Sequence, residues 1–297
     1  MTLTVIGTVA LDTLAFVGKL ARPETTGGIV RLMPDLFGGT GGNAAMALAK
    51  LGAPPRLLAA VGADFAGSSY ERAMEAAGVG LAWLTRTKEP TSRAYVFVEE
   101  GGRAQMTYFY SGASRVLRPA SGELGRAHFC AGEISLYPAL MQRASWVSFD
   151  PGQEVHHRPL AEIEACLPHV DLLFLNKHER EALDIQADLP LDKLFALGVG
   201  TIVETRGDGG TFVHTAGGTH THVPAASARV ADPTGAGDSH RAGFLYALDR
   251  GADLASAARF ASVMGAFAVE AIGAQAGLPT REAALDRYQK AYGRPFP

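Results

Sequence analysis

Two cysteines in 297 residues, Cys130 and Cys166, are too few for a disulfide framework and do not form a Cys-x-x-Cys pair. That usage fits a reducing, cytoplasmic setting. Neither charge sign is in excess: 27 Lys and Arg face 30 Asp and Glu, for a net charge of −3. A nucleic-acid or anionic membrane partner is therefore not expected. No apolar run approaches the roughly 18 residues needed to span a bilayer. The start, Met1 to Gly7, reads as a short strand without a basic lead rather than as a signal peptide. Gly-x-x-x-x-Gly-Lys-Ser/Thr is missing, which excludes a P-loop NTPase. Gly-x-Gly-x-x-Gly is missing after the first strand, which disfavours a Rossmann dehydrogenase. Histidines are few and scattered: His220 and His222 share one face of a strand, but without a third ligand no zinc site is expected.

Hydrophobic residues make up 47% and charged residues 19%, as in a globular protein with a sizeable core. Strand-like runs at 2–7 and 56–61 alternate with helix-like runs at 44–51 and 65–77. The alternation resumes with strands at 146–149, 171–175 and 201–205 and helices at 239–250, 254–271 and 281–292. Such βα alternation predicts a mostly parallel central sheet with helices on both faces. Two hairpins interrupt it. One joins 211–214 to 220–223 across Gly217-Gly218, and the other joins 91–99 to 103–110 across Gly101-Gly102. Hairpins do not belong in a parallel series. The second, with strands at 12–17 and 28–33, predicts a small separate sheet acting as a lid, from segments at about 12–36 and 86–114 of a single domain spanning 1–297.

The chemistry concentrates in Asp232-Pro-Thr-Gly-Ala-Gly-Asp238, which leads from an apolar run into a helix. Gly235, Ala236 and Gly237 carry almost no side chain, so their N–H groups can approach an anion at a helix N-terminus. A carboxylate at Asp238 would repel a phosphate, which makes sense if it takes a proton from a hydroxyl attacking phosphorus. A helix N-cap is the plainer alternative. Phe37-Gly-Gly-Thr-Gly-Gly-Asn43 places four glycines before a helix, where Asn43 is either a cap or a ligand group. Asp12, just past the first strand, reads alone as a solvated turn residue, yet sits where open α/β sheets bind ligands. Asn176-Lys-His-Glu179 follows a buried strand: Glu179 can hold water around Mg²⁺, or simply open a helix with an acidic turn. Thr205-Arg206-Gly207, at another strand end, either borders a nucleotide or turns a hairpin.

These motifs, in this order along nearly the whole chain, resemble the ribokinase family, the PfkB carbohydrate kinases. The resemblance implies a three-layer α/β/α domain with a β-sheet lid, and transfer of the γ-phosphate of ATP to a hydroxymethyl group with Mg²⁺ and often a monovalent cation such as K⁺. It implies that Asp238 is the base and that Gly235, Ala236 and Gly237 form the anion hole. It gives Asp12, Gly39 and Asn43 to the sugar hydroxyls, Asn176 and Glu179 to the phosphate–Mg²⁺ region, Thr205, Arg206 and Gly207 to the nucleotide, and Asp232 to the monovalent cation. Phe37–Asn43, Thr107–Ala113 and Phe149-Asp-Pro-Gly-Gln153 look like the adenosine and nucleoside kinase branch, with Ser111 a departure where that branch tends to carry Pro. Phe109 and Tyr110 would stack on a nucleobase or pack the lid core. A ribose or fructose kinase, and a non-catalytic binder on the same scaffold, are the competing readings. A lid edge strand could pair with a second copy.

Overall fold

Leu172 to Leu175 is apolar at every position, a pattern that suits a strand covered on both faces. In the computed structural model, which describes residues 2–100, 105–119 and 121–297, all four are buried near the middle of the main sheet. The strands in chain order are β1 (Thr4–Ile6), β2 (Ala10–Val17), β3 (Ile29–Gly38), β4 (Arg56–Leu58), β5 (Ala60–Val61), β6 (Thr85–Arg86), β7 (Ser92–Glu99), β8 (Gln105–Tyr110), β9 (Gly125–Phe129), β10 (Ala144–Phe149), β11 (Leu172–Asn176), β12 (Thr201–Thr205), β13 (Thr211–Thr215) and β14 (His220–Val223). The helices are α1 (Thr40–Lys50), α2 (Ser69–Ala76), α3 (Tyr137–Met141), α4 (Leu160–Glu164), α5 (Lys177–Gln186), α6 (Leu191–Ala196), α7 (Ala236–Asp249), α8 (Leu254–Val269) and α9 (Arg281–Tyr292).

The main sheet runs β14-β13-β12-β11-β10-β9-β1-β4. From β12 to β4 the strands are parallel; β13 and β14 close one edge antiparallel. Side-chain alternation then builds two cores. Val5, Phe174 and Val203 face α1, α2, α7, α8 and α9, whereas Ile6, Phe129 and Leu173 face α3 to α6. The result is a three-layer α/β arrangement, helices on both sides of a mostly parallel sheet. A smaller sheet, β3-β2-β7-β8, stands apart, with β2 and β7 parallel at its centre. The parallel strands end together at one edge, where β1, β10, β11 and β12 deliver their loops.

Several boundaries differ from the sequence expectation for identifiable reasons. β3 runs to Gly38 rather than Met33, because Pro34 and a positive-φ Asp35 form an irregularity that the pairing with β2 steps over. The helix expected at 44–51 starts at Thr40 and absorbs Gly41 and Gly42. A Cβ on Gly42 would lie 2.1 Å from the Tyr70 hydroxyl, so packing outweighs glycine's poor helix propensity there. The helix expected from Phe65 begins at Ser69, since Ser68 caps it by accepting from the amide of Glu71. The run at 56–61 splits into β4 and β5, the latter pairing with β6. β9 has no counterpart in the sequence reading: Arg126 and His128 break its apolar run, yet His128 is fully buried and bonded to Ser148 Oγ at 2.8 Å. The Gly101-Gly102 turn lies outside the described residues.

Candidate active site

Gly235 adopts φ 74°, ψ 0° and caps α7 without a side-chain bond. A Cβ at Gly235 would lie 2.6 Å from that of Ala274, so both conformation and space require glycine. The amide of Ala236 is partly committed, donating to Pro233 O at 3.2 Å. Among the described residues the amides of Gly235 and Gly237 donate to no acceptor. The expected three-amide hole is therefore two open amides and one held in a turn, still at the positive end of a 14-residue helix. Asp238 lies in the first turn of that helix and is not its cap. Its Oδ2 accepts from Asn43 Nδ2 at 2.8 Å. Its pKa is raised to about 6, chiefly by burial, while Arg241 and the Asn43 bond pull it down.

Asn43 is likewise inside a helix turn rather than at a cap, because the cap of α1 is Gly39, at φ 85° against the backbone of Thr8 to Ala10. Asp12 is no solvated turn residue: it sits in β2, 6% exposed, folded against Gly38. No described residue donates a hydrogen bond to its carboxylate. Burial raises its pKa to about 7, with further contributions from the charges of Asp238 and Asp232.

A second cluster adjoins the first. Asp150, one residue beyond β10, binds the guanidinium of Arg241 (Nη2 to Oδ1 2.9 Å, Nε to Oδ2 2.5 Å). Glu179 Oε2 lies 3.8 Å from Arg241 Nη2. A Cβ on Gly237 would meet Arg241 Nη1 at 2.2 Å, so this guanidinium lies against Gly237. Burial raises the pKa of Glu179 to about 7, with Asp150 adding to it. Asn176 and Glu179 form a reciprocal capping box at the start of α5. The capping alternative is thus correct for this pair, and Glu179 faces Arg241 as well.

Asp232 is a clasp. Its Oδ1 accepts from Thr234 N at 2.9 Å and Thr234 Oγ1 at 2.6 Å, and its Oδ2 from Gly273 N at 2.8 Å. Thr205 ends β12, and Gly207 opens a tight turn into β13, as the hairpin alternative required. Arg206 pairs with Glu204 at 2.5 Å and stacks on Phe212 at 4.3 Å. These three residues share no hydrogen bond or ion pair with the Asp238 group among the described residues. Cys130 and Cys166 are buried and free. No group of three or more potential metal-ligating His, Cys, Asp or Glu side chains occurs among the described residues, His220 and His222 included.

The pfkB family carbohydrate kinase model matches residues 2–281. The chain belongs to the pfkB family. It is 32% identical to a nucleoside kinase of Methanothermobacter thermautotrophicus, over 98% of this chain and 96% of that protein. A ribokinase of Haemophilus influenzae is 26% identical over 98% and 99%. The crystal structure of Methanocaldococcus jannaschii nucleoside kinase superposes with a TM-score of 0.89 at 31% identity, covering 98% and 99% of the two chains. Burkholderia thailandensis nucleoside kinase in complex with inosine gives 0.90 at 26% identity, covering 99% and 100%. Like its pfkB relatives, the protein is a phosphotransferase with an alcohol acceptor.

Four residues of this pfkB site were given no role in the sequence reading: Tyr70, Arg241, Gln275, and Asp150, which entered only within the Phe149–Gln153 stretch. Two had a usable signal. Asp150 directly follows a buried strand, as a ligand residue in an open α/β sheet does. Arg241 lies three residues after Asp238 and so shares its helix face. Tyr70 and Gln275 had none, being 205 residues apart.

Proposed function

We propose that this chain is an ATP-dependent nucleoside kinase that phosphorylates the 5′-hydroxyl of a purine nucleoside such as adenosine. One observation carries the reading: a carboxylate held by Asn43 stands beside open amides at the head of α7, within electrostatic reach of the unpaired, buried carboxylate of Asp12. An unpaired buried carboxylate is costly unless a ligand supplies donors, and vicinal ribose hydroxyls supply two. The names of the relatives at 32% identity favour nucleosides over free sugars. A Burkholderia thailandensis nucleoside kinase structure in complex with ADP-inosine, 26% identical, supports an adenine nucleotide as the second ligand.

Asp12, Gly39 and Asn43 orient the sugar so that its 5′-oxygen points at the γ-phosphorus. As the new O–P bond forms and the bond to ADP breaks, the hydroxyl proton passes to Asp238. The amides of Gly235 and Gly237 receive the charge on the transferred group. Asn176 and Glu179 serve the phosphate side, and Thr205, Arg206 and Gly207 border the nucleotide. Asp150 and Glu179 share the single cation Arg241, leaving an excess negative charge that fits an added divalent ion. Glu179 would hold Mg²⁺ through water, and the ion would neutralise phosphate oxygens. For K⁺ the fit is poorer: three donors already occupy the oxygens of Asp232, so we assign it to ordering the anion loop and route no step through the cation.

The small sheet acts as a lid that excludes water. Phe109 and Tyr110 are 48% and 45% exposed, so they do not pack a lid core and remain available to a nucleobase. The outer strand β8 is apolar and exposed, which supports pairing with a second copy. Two free buried thiols fit a cytoplasmic setting, and among the described residues no helix is long and apolar enough to cross a membrane.

An ADP-release screen across nucleosides and free sugars tests the reading. Turnover of adenosine or inosine with ribose inert is the expected result; turnover of a sugar alone would replace it with a sugar kinase, and ADP release with neither would favour a binding protein. Asp12 adds a separable test. Its pKa is raised from 3.8 to about 7, so the fold favours the protonated form. The associated stability is complete below about pH 4 and lost as the pH rises through 7. Asp12→Asn should raise the melting temperature by a few degrees at pH 8, leave it unchanged at pH 4, and raise KM for the nucleoside.

A further inference from the structure

We propose that Gln275 is a positioning residue that fixes the amide of Asn43 as a donor to Asp238. This rests on the nucleoside kinase reading only through the role of Asp238.

The carbonyl of Gly38 can only accept, so Tyr70, 2.9 Å away, must donate its hydroxyl proton there. The Tyr70 oxygen then accepts from Gln275, which must present its NH₂ at 2.6 Å. The same NH₂ reaches Asn43 Oδ1 at 2.9 Å, so Asn43 turns its oxygen toward Gln275 and its own NH₂ toward Asp238. A flipped Asn43 would set two acceptors against each other at Asp238 and two donors against each other at Gln275. The donations therefore diverge from the Gln275 NH₂, one arm ending on a backbone carbonyl that cannot reverse and the other on Asn43, whose own NH₂ then faces Asp238.

Three features make Gln275 the controlling link. Tyr70 is held flat against Phe37, ring centroids 4.4 Å apart and planes within 2°, and is fully buried. Its hydroxyl position is thus set by packing. Gln275 Oε1 is buried with no partner among the described residues, a cost accepted only because the amide nitrogen is needed on the other side. The loop bearing Gln275 is tied to the anion loop through Gly273 N to Asp232, and Ala274 packs against Gly235. The orientation of Asn43 is therefore coupled to the geometry of the anion hole, although Gln275 itself touches neither phosphate nor base.

The test uses two near-isosteric variants, so that loss of folding is not the readout. Gln275→Glu presents acceptors to Tyr70 and Asn43 and reverses the Asn43 amide. Its kcat should fall about tenfold or more, and the acid limb of kcat, expected near pH 6 in the wild type from the raised pKa of Asp238, should move to higher pH. Gln275→Met removes the bond without adding charge and should move the limb the same way by less. KM for ATP should hold in both. Nuclear magnetic resonance of the Asn43 side-chain amide provides the arm independent of turnover: slowly exchanging protons in the wild type, fast in both variants. Unmoved acid limbs, or Asn43 protons that exchange equally in all three proteins, would overturn the inference. Should the wild type phosphorylate no nucleoside, the amide exchange decides alone, and the functional reading falls separately.

Discussion

Asp238→Asn should lower kcat by about 10²–10⁴-fold, the usual contribution of a general base, while ADP binds as before. The substitution keeps the size of the side chain and leaves an oxygen to accept from Asn43 Nδ2. What it removes is the capacity to take the hydroxyl proton. The pH profile sharpens the expectation. Asp238 must be ionised to accept a proton, and its pKa stands at about 6, above the ordinary carboxylate range because it is enclosed by protein. Wild-type kcat should thus fall on the acid side of pH 6, and the residual rate of Asp238→Asn should lose that limb. A variant retaining close to wild-type turnover would remove the base from the scheme and leave the open amides of α7 as a binding site only.

Arg241→Met should lower the melting temperature by roughly 10 °C. Arg241 is 6% exposed, and its guanidinium is the shared counter-charge of Asp150 and Glu179. Removing one partner of a buried ion pair leaves uncompensated carboxylates and costs about 3–5 kcal/mol. Arg241 also holds down the pKa of Asp238, so the acid limb of kcat should move upward in the surviving protein. Adding Asp150→Asn to Arg241→Met should recover part of the lost stability, because one of the stranded charges goes with it. Calorimetry of the two variants checks both points. An unchanged melting temperature in the single variant would mean that water or relaxation compensates the pair, and that Arg241 is not the needed counter-charge of Asp150 and Glu179.

These two expectations differ in how they could be reached. Asp238 is visible in the chain because its chemistry depends on local spacing: small residues before it, a helix after it. Arg241 sits three residues further on, but its importance comes from Asp150 and Glu179, which arrive from the ends of two other strands. Motif reading also named residues whose local geometry proved less exotic. Asn176 and Glu179 do form an ordinary capping box, and Gly207 does turn a hairpin. Asp232 spends its oxygens on Thr234 and Gly273. Local spacing could not show that these polar residues also have structural partners, nor that Asp12, which looks like a turn residue in isolation, is a buried carboxylate without a donor among the described residues.

By itself the sequence determined the class of architecture, the small additional sheet and the α7 motif, because hydrophobic period, glycine turns and helix starts act over a few residues. It missed the central strand β9, since burial of His128 depends on a Ser148 supplied by the neighbouring strand. Only the tertiary structure decided that Asn43 is a donor to Asp238 rather than a helix cap, that Arg241 lies against Gly237 beside Asp150 and Glu179, and that Tyr70 and Gln275 belong to the site. Each is a contact between segments distant along the chain, and the direction of a hydrogen bond or the depth of a charge exists only once those segments have packed.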